Sequence, residues 1–173
     1  MTRAPLWTLG EIAHALGIAC AADLADTDVL LVSAPPVRDL DTTLGVYRDA
    51  IAKSRIGWIG YLSTIGVYGD HQGAWIDEDT APSPVSGRSQ GRLAVEEAWL
   101  SLGARSGKAV QMFRLSGIYG PGRSPITKLR EGRSQRIVKQ GQVFNRIHVA
   151  DIAATLEASL DRPRPGAVYN VTD

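Results

Sequence analysis

Three short runs of nearly unbroken apolar residues, spaced by segments of helical period, constrain this chain more than any other feature. They are Asp28–Ser33 (DVLLVS), Arg55–Leu62 and Ala109–Leu115. A strand with one wet face alternates apolar and polar residues; an unbroken apolar run suits a strand covered on both faces, as in a parallel sheet. Between the first two runs the spacing predicts a helix over about Thr42–Lys53, with Leu44, Tyr47, Ala50 and Ile51 on one side. A Gly, Asp and Pro-rich connection over 63–84 follows the second run. A helix from Ser86 or Arg88 to Leu102 comes next, with Leu93, Ala94, Trp99 and Leu100 as its apolar stripe and Glu96 and Glu97 turned outward.

Beyond Leu115 the elements shorten. Ser124-Pro125 reads as N-cap and first residue of a short helix ending near Gly132. A hairpin-like pair, Arg136–Lys139 and Val143–His148, precedes a helix over Asp151–Leu160 and a last strand over Ala167–Val171. Strands separated by helices imply right-handed crossovers and a parallel sheet, whose ligands bind beyond the carboxyl ends of the strands. The loops after Leu62 and Leu115 leave those ends, so function is expected there. Residues 1–27 form a different lead-in: Thr8 with Glu11 makes a capping box, and nothing before Asp28 reads as a strand.

Composition narrows the function classes. Lys plus Arg number 19 against 18 Asp plus Glu, so no global charge points to nucleic acid or a membrane surface. The single cysteine, Cys20, excludes an intrachain disulfide and a cysteine-based zinc cluster, and reads as packing. His14 and His71 lack partners at metal-ligand spacing, so no metal is expected. No apolar run has the length of a membrane span and the first residues lack a signal-peptide pattern, which makes cytoplasmic the expected location.

Four segments in order carry a family resemblance. Gly60–Gly69 (GYLSTIGVYG), Asp77-Glu78-Asp79 with Pro82 and Pro84, Arg114–Arg123 (RLSGIYGPGR) and Asn145–Ile152 (NRIHVADI), with Tyr169-Asn170-Val171 at the end, resemble extended short-chain dehydrogenase/reductases, the NAD-dependent epimerase/dehydratase family. The likeness runs from about Asp28 to Asp173. It implies one α/β domain over 1–173: a partial Rossmann-type, doubly wound, mostly parallel sheet lacking the first strands. It also implies NAD or NADP as cofactor and an oxidoreductase or epimerase-like activity on a small-molecule substrate.

Carried over position by position, the resemblance assigns candidate roles. Ser33, Ala34 and Pro35 match a turn passing near the cofactor, as do Leu62 and Ser63 at one strand end and Leu115, Ser116 and Gly117 at another. Thr64, four residues before Tyr68, stands where the family has its catalytic Ser or Thr; it either holds a substrate oxygen or caps the strand end. The family's Tyr and Lys fall on Arg88 and Arg92 when aligned back from Glu96, and on Ser86 and Gln90 when aligned forward from Pro84. Neither register supplies a tyrosine, and a permanently protonated arginine is no general base. A non-catalytic binding module therefore stands beside the enzyme reading.

The family's G-x-x-G-x-x-G loop, whose backbone amides hold a pyrophosphate, has no counterpart in this sequence. The expectation is a truncated product, with DVLLVS as an exposed sheet edge that associates with a second copy. Tyr68 and Tyr119 either line the cleft or pack beneath it. Arg123, Lys128, Arg130, Arg133, Arg136 and Lys139 form a basic stretch, and with Arg146 they suit an anionic substrate or a solvated surface. No aromatic residue lies between Arg123 and Lys139 to stack bases, which argues against nucleic acid. His148 with Asp151 reads as a structural strand-to-helix junction or, less readily, an acid–base pair.

Overall fold

The computed structural model describes residues 24–37, 40–132, 141 and 143–173. The capping box at Thr8, His14, Cys20, the arm Arg136–Lys139 and the side chain of Lys128 lie outside the described residues.

Four strands form one parallel sheet in the order β1 (Val29–Val32), β2 (Trp58–Thr64), β3 (Ala109–Leu115) and β6 (Val168–Val171). Leu30 pairs with Ile59, Gly60 with Gln111 and Phe113 with Tyr169. The crossovers are α1 (Thr42–Lys53) from β1 to β2 and α2 (Gly87–Ser106) from β2 to β3. Asp41 caps α1, its Oδ1 accepting from the Leu44 amide at 2.8 Å. Ser86 caps α2, and Gly107, at φ +69°, ends it in the left-handed conformation that glycine adopts without strain.

A second, two-stranded parallel ribbon pairs β4 (Gly117–Tyr119) with β5 (Arg146–His148). Of the expected strand over 143–148, Arg146–His148 is strand and pairs with the strand directly after β3; its expected hairpin partner lies outside the described residues. Ser124 and Pro125 begin α3 (Pro125–Arg130) as cap and first residue, and α4 (Val149–Asp161) leads into β6.

Alternation along the strands splits the core in two. Leu30 and Val32, Ile59 and Tyr61, and Val110 and Met112 face α1 and α2, meeting Leu44, Tyr47, Ile51, Val95, Trp99 and Leu102. Trp58, Phe113, Leu115 and Val171 face the other way, toward Ile152 and Leu156 of α4. Helices on both faces make the sheet doubly wound, a Rossmann-like α/β arrangement. Two expectations change here. Among the described residues β1 is covered on one face only: Val29 is 44% and Leu31 37% exposed. In α2 the buried positions are Gly91, Val95, Glu96, Trp99, Leu102 and Gly103, while Ala94 is exposed. Glu96 therefore points inward, because a cation waits for it in the sheet.

Candidate functional site

That cation is Arg114, the charged residue of a fully buried strand whose other polar member is Gln111. It donates to Glu96 through Nε at 3.2 Å and Nη2 at 2.7 Å, with both side chains almost completely buried. Arg114 Nη1 also donates to the Tyr68 hydroxyl at 2.7 Å, and the guanidinium lies 4.7 Å above that ring. Burial alone would pull the arginine's pKa down, but the hydrogen bonds and charge of Glu96, with Tyr68, hold it above its ordinary value. Ser63 Oγ donates to the other Glu96 oxygen, Oε1. Tyr68 passes its own proton to Asn170 Oδ1 at 2.9 Å, and the Asn170 amide donates to Glu78 at 2.7 Å. One chain of bonds thus ties together the carboxyl ends of β2, β3 and β6.

Thr64 ends β2 on this rim. Its Oγ1 accepts from the Gly66 amide at 3.1 Å, starting a single 3-10 turn over Ile65–Tyr68. The turn closes at Gly69, φ +81°, where a side chain would collide with the Ser83 carbonyl. Tyr68 lies buried beneath the turn with its hydroxyl engaged on both sides. Ser63 and Leu115 are buried too, and Ser116 Oγ, fully buried at the end of β3, has no hydrogen-bond partner among the described residues. Ser33, Ala34 and Pro35 leave β1 as an open turn, the outer two exposed.

The residues at the family's acid–base positions do not meet. Arg88 is exposed on the first turn of α2. Arg92 donates to the Leu62 carbonyl at 2.8 Å and to Tyr61 Oη at 3.1 Å, so it braces the end of β2. In the other register, Ser86 caps the helix and Gln90 Nε2 donates to the Pro84 carbonyl at 3.4 Å. Neither pair combines a proton carrier with a neighbour that would tune it.

Across the ribbon, Gly117 leaves room for Arg146, whose guanidinium would clash with any side chain at 117. Arg146 also lies 5.2 Å over the Phe144 ring, and Arg123 is exposed beyond Gly120. Tyr119 packs edge-on to His148 at 5.1 Å, and its hydrogen bond to Asp173 raises the phenol pKa. His148 Nδ1 accepts from the Ala150 amide at 3.2 Å and so caps α4, with Asp151 in the helix's first turn. A cavity of about 400 Å³ beside β6 is lined by Glu78, Asp151, Thr155, Asn170 and Asp173 among others, and by none of the residues expected to hold cofactor or substrate. Among the described residues no three His, Cys, Asp or Glu side chains gather as metal ligands, and no helix is long and apolar enough to cross a membrane.

Reading the sequence did not anticipate Glu96, Asn170 or Glu78 as parts of the rim. The available signal was Arg114, since a buried guanidinium requires an anionic partner.

The sheet is Rossmann-like, and comparison with solved structures agrees. The chain is 48% identical to a conserved protein of unknown function from Silicibacter pomeroyi, with a TM-score of 0.81, covering 87% of this chain and 53% of that one. It superposes on the UDP-glucuronic acid 4-epimerase of Bacillus cereus in complex with NAD at a TM-score of 0.71, 21% identity, 88% of this chain and 56% of that one. For MoeE5 in complex with UDP-glucose and NAD the TM-score is 0.71, at 24% identity, with 88% and 58% covered. Protein YeeZ of Escherichia coli K12 is 31% identical over 156 residues, 86% of this chain and 54% of that protein. The chain thus spans about half the length of the curated relatives it matches. No protein-family model matches the chain.

Proposed function

We propose that this chain carries the ligand rim of an NAD(P)-associated oxidoreductase or epimerase-like protein of the extended short-chain dehydrogenase/reductase kind, within the NAD-dependent epimerase/dehydratase family. The observation that carries the reading is the convergence of Thr64, Ser116 and the Arg146 ribbon on one end of a parallel sheet, where such folds bind ligands. The orphaned Ser116 hydroxyl fits a bound polar group, because a buried hydroxyl without a partner is costly. The cofactor would run past Ser33, Ala34 and Pro35, the backbone of Leu62 and Ser63, and Leu115–Gly117. It would supply the hydride acceptor; Thr64 would hold the reacting oxygen, and Arg123 and Arg146 an anionic part of a small-molecule substrate. Association of two copies along β1 belongs to the same reading.

A second reading, a binding module without turnover, is favoured by Arg92. Its guanidinium is spent on the Leu62 carbonyl and Tyr61, and no tyrosine stands at the head of α2. Titrating the chain with NADH and NADPH, followed by tryptophan fluorescence, tests both. Saturable quenching in the micromolar range, weakened by Ser116→Leu, is expected; no quenching by a folded chain overturns the cofactor assignment. Turnover with any carbonyl or sugar-nucleotide substrate would sink the binding-module reading.

A further inference from the structure

Two hydroxyl groups, at the head of α2 and the end of β2, have protons that find no acceptor among the described residues. Ser86 caps the helix, and its Oγ accepts from the Ser89 amide at 3.2 Å. The Ser86 hydroxyl donates in turn to Ser89 Oγ at 3.0 Å. Ser89 is therefore an acceptor within the cap, and its own O–H has no acceptor among the described residues. Thr64 is in the same condition: Oγ1 accepts from the Gly66 amide, and its proton is unspent. A hydroxyl carries one donor beside its lone pairs, so each group can still make one directed bond.

The two groups flank the same glycine. A methyl group on Gly66 would lie 3.2 Å from Ser89 Oγ, tighter than ordinary contact, and 3.4 Å from Thr64 Oγ1, just in contact. Glycine at 66 keeps open a gap with a hydroxyl on each side and a bare Cα at its floor, a place where a ligand atom can approach the backbone closely. Thr64, Gly66 and Ser89 are all half-buried, so the gap is sheltered but reachable. The arginines of α2 do not fill it, since Arg92 is bound to Leu62 and Tyr61 and Arg88 is exposed.

We propose that Ser89 is a second ligand-oxygen donor, acting with Thr64 across the Gly66 gap to hold a hydrogen-bond-accepting oxygen. The ligand group is a carbonyl, alcohol or carboxylate oxygen, and the donors are neutral, so the site orients that oxygen without supplying a base. This extends the proposed ligand rim and rests on it for the substrate's placement, but the oxygen site itself can be tested without cofactor.

The test is titration of the full ¹⁵N-labelled chain with sodium formate, a small oxygen acceptor, using sodium chloride at equal ionic strength as control. Saturable shifts of the Gly66 and Ser89 amides with formate alone are expected. Ser89→Ala should weaken formate roughly tenfold, the size of one lost bond to a charged acceptor. Ser89→Thr, which keeps the hydroxyl, should restore binding, and Gly66→Ala should abolish it by filling the gap. If Gly66→Ala does not fold, the Ser89 pair decides alone. Absence of saturable shifts in the wild-type chain overturns the proposal, as does Ser89→Ala with lowered Tm and unchanged formate affinity, the signature of a cap residue only. Formate binding by a chain that ignores NADH and NADPH would refute the cofactor assignment and leave this site standing.

Discussion

The two faces of the sheet are built to different standards. On the α1 and α2 side every inward strand position from β1 to β3 is buried, and even the charges are enclosed as the Glu96–Arg114 pair. On the α4 side the cover reaches β2, β3 and β6 but stops short of β1, where Val29 and Leu31 remain open. Trp58 marks the boundary: its ring lies across Gly60, and its Nε1 donates to Ser159 of α4 at 2.9 Å. One face therefore concentrates the stability, and the other carries apolar surface that costs little to change in the isolated chain but invites association.

The largest effect expected from this contrast is at Trp99, wholly buried on the closed face with Nε1 bonded to Asp41 at 3.0 Å. Trp99→Ala should cost about 3–5 kcal/mol in denaturant unfolding; a loss below about 1 kcal/mol would show that the closed face is not the stability core. Next comes Glu96→Gln, which leaves Arg114 charged and without its counter-ion. It should cost about 3 kcal/mol, with much of the loss recovered in the double variant Glu96→Leu/Arg114→Met, because apolar replacement of a buried pair is often tolerated. A double variant as unstable as the single one would contradict this.

A smaller effect lies at high pH. Burial, outweighing the charge and hydrogen bond of Arg92, pushes the Tyr61 phenol up to about 12 from an ordinary 10.0. A group with a raised folded-state pKa gives stability that is complete below the unfolded value and lost as pH climbs through the folded one. Stability should therefore fall between pH 10 and 12, and Tyr61→Phe should flatten part of that fall. An identical pH profile in both proteins would remove Tyr61 from the account. The smallest expected change is Leu31→Lys on the open face: less than about 0.5 kcal/mol in unfolding, with reduced self-association in sedimentation velocity. A large destabilisation would mean that Leu31 is packed after all, and the two faces are alike.

Much of the fold was legible because it depends on local signals. The helix Thr42–Lys53 stands at its expected bounds, set by apolar spacing after Asp41, and Ser124-Pro125 begins a helix as its residue types require. The strand after the first helix begins at Trp58 rather than Arg55, since the apolar run alone does not say where pairing starts. Other features were not legible because they depend on distant partners. Glu96 reads as outward from α2 alone; only Arg114, 18 positions on, turns it in. DVLLVS reads as doubly covered, but what covers a strand is contributed by other segments. Of the strand expected over 143–148 only Arg146–His148 forms, and its partner, Gly117–Tyr119, lies far back in the sequence. For the site, the sequence placed Thr64 and the Leu115–Gly117 turn at strand ends, whereas Ser89, hidden inside a capping motif, carried no signal of its own.

The bond from Tyr68 to Asn170 joins residues 102 positions apart, and Asn170 belongs to the final strand. During synthesis β1, β2 and β3 can pair, and the closed face can condense, before that strand has left the ribosome. The tyrosine hydroxyl then has Arg114 but not yet its acceptor. Completion of the rim thus waits on β6, and nascent chains halted before residue 168 would possess the closed face with Tyr68 still lacking its Asn170 acceptor.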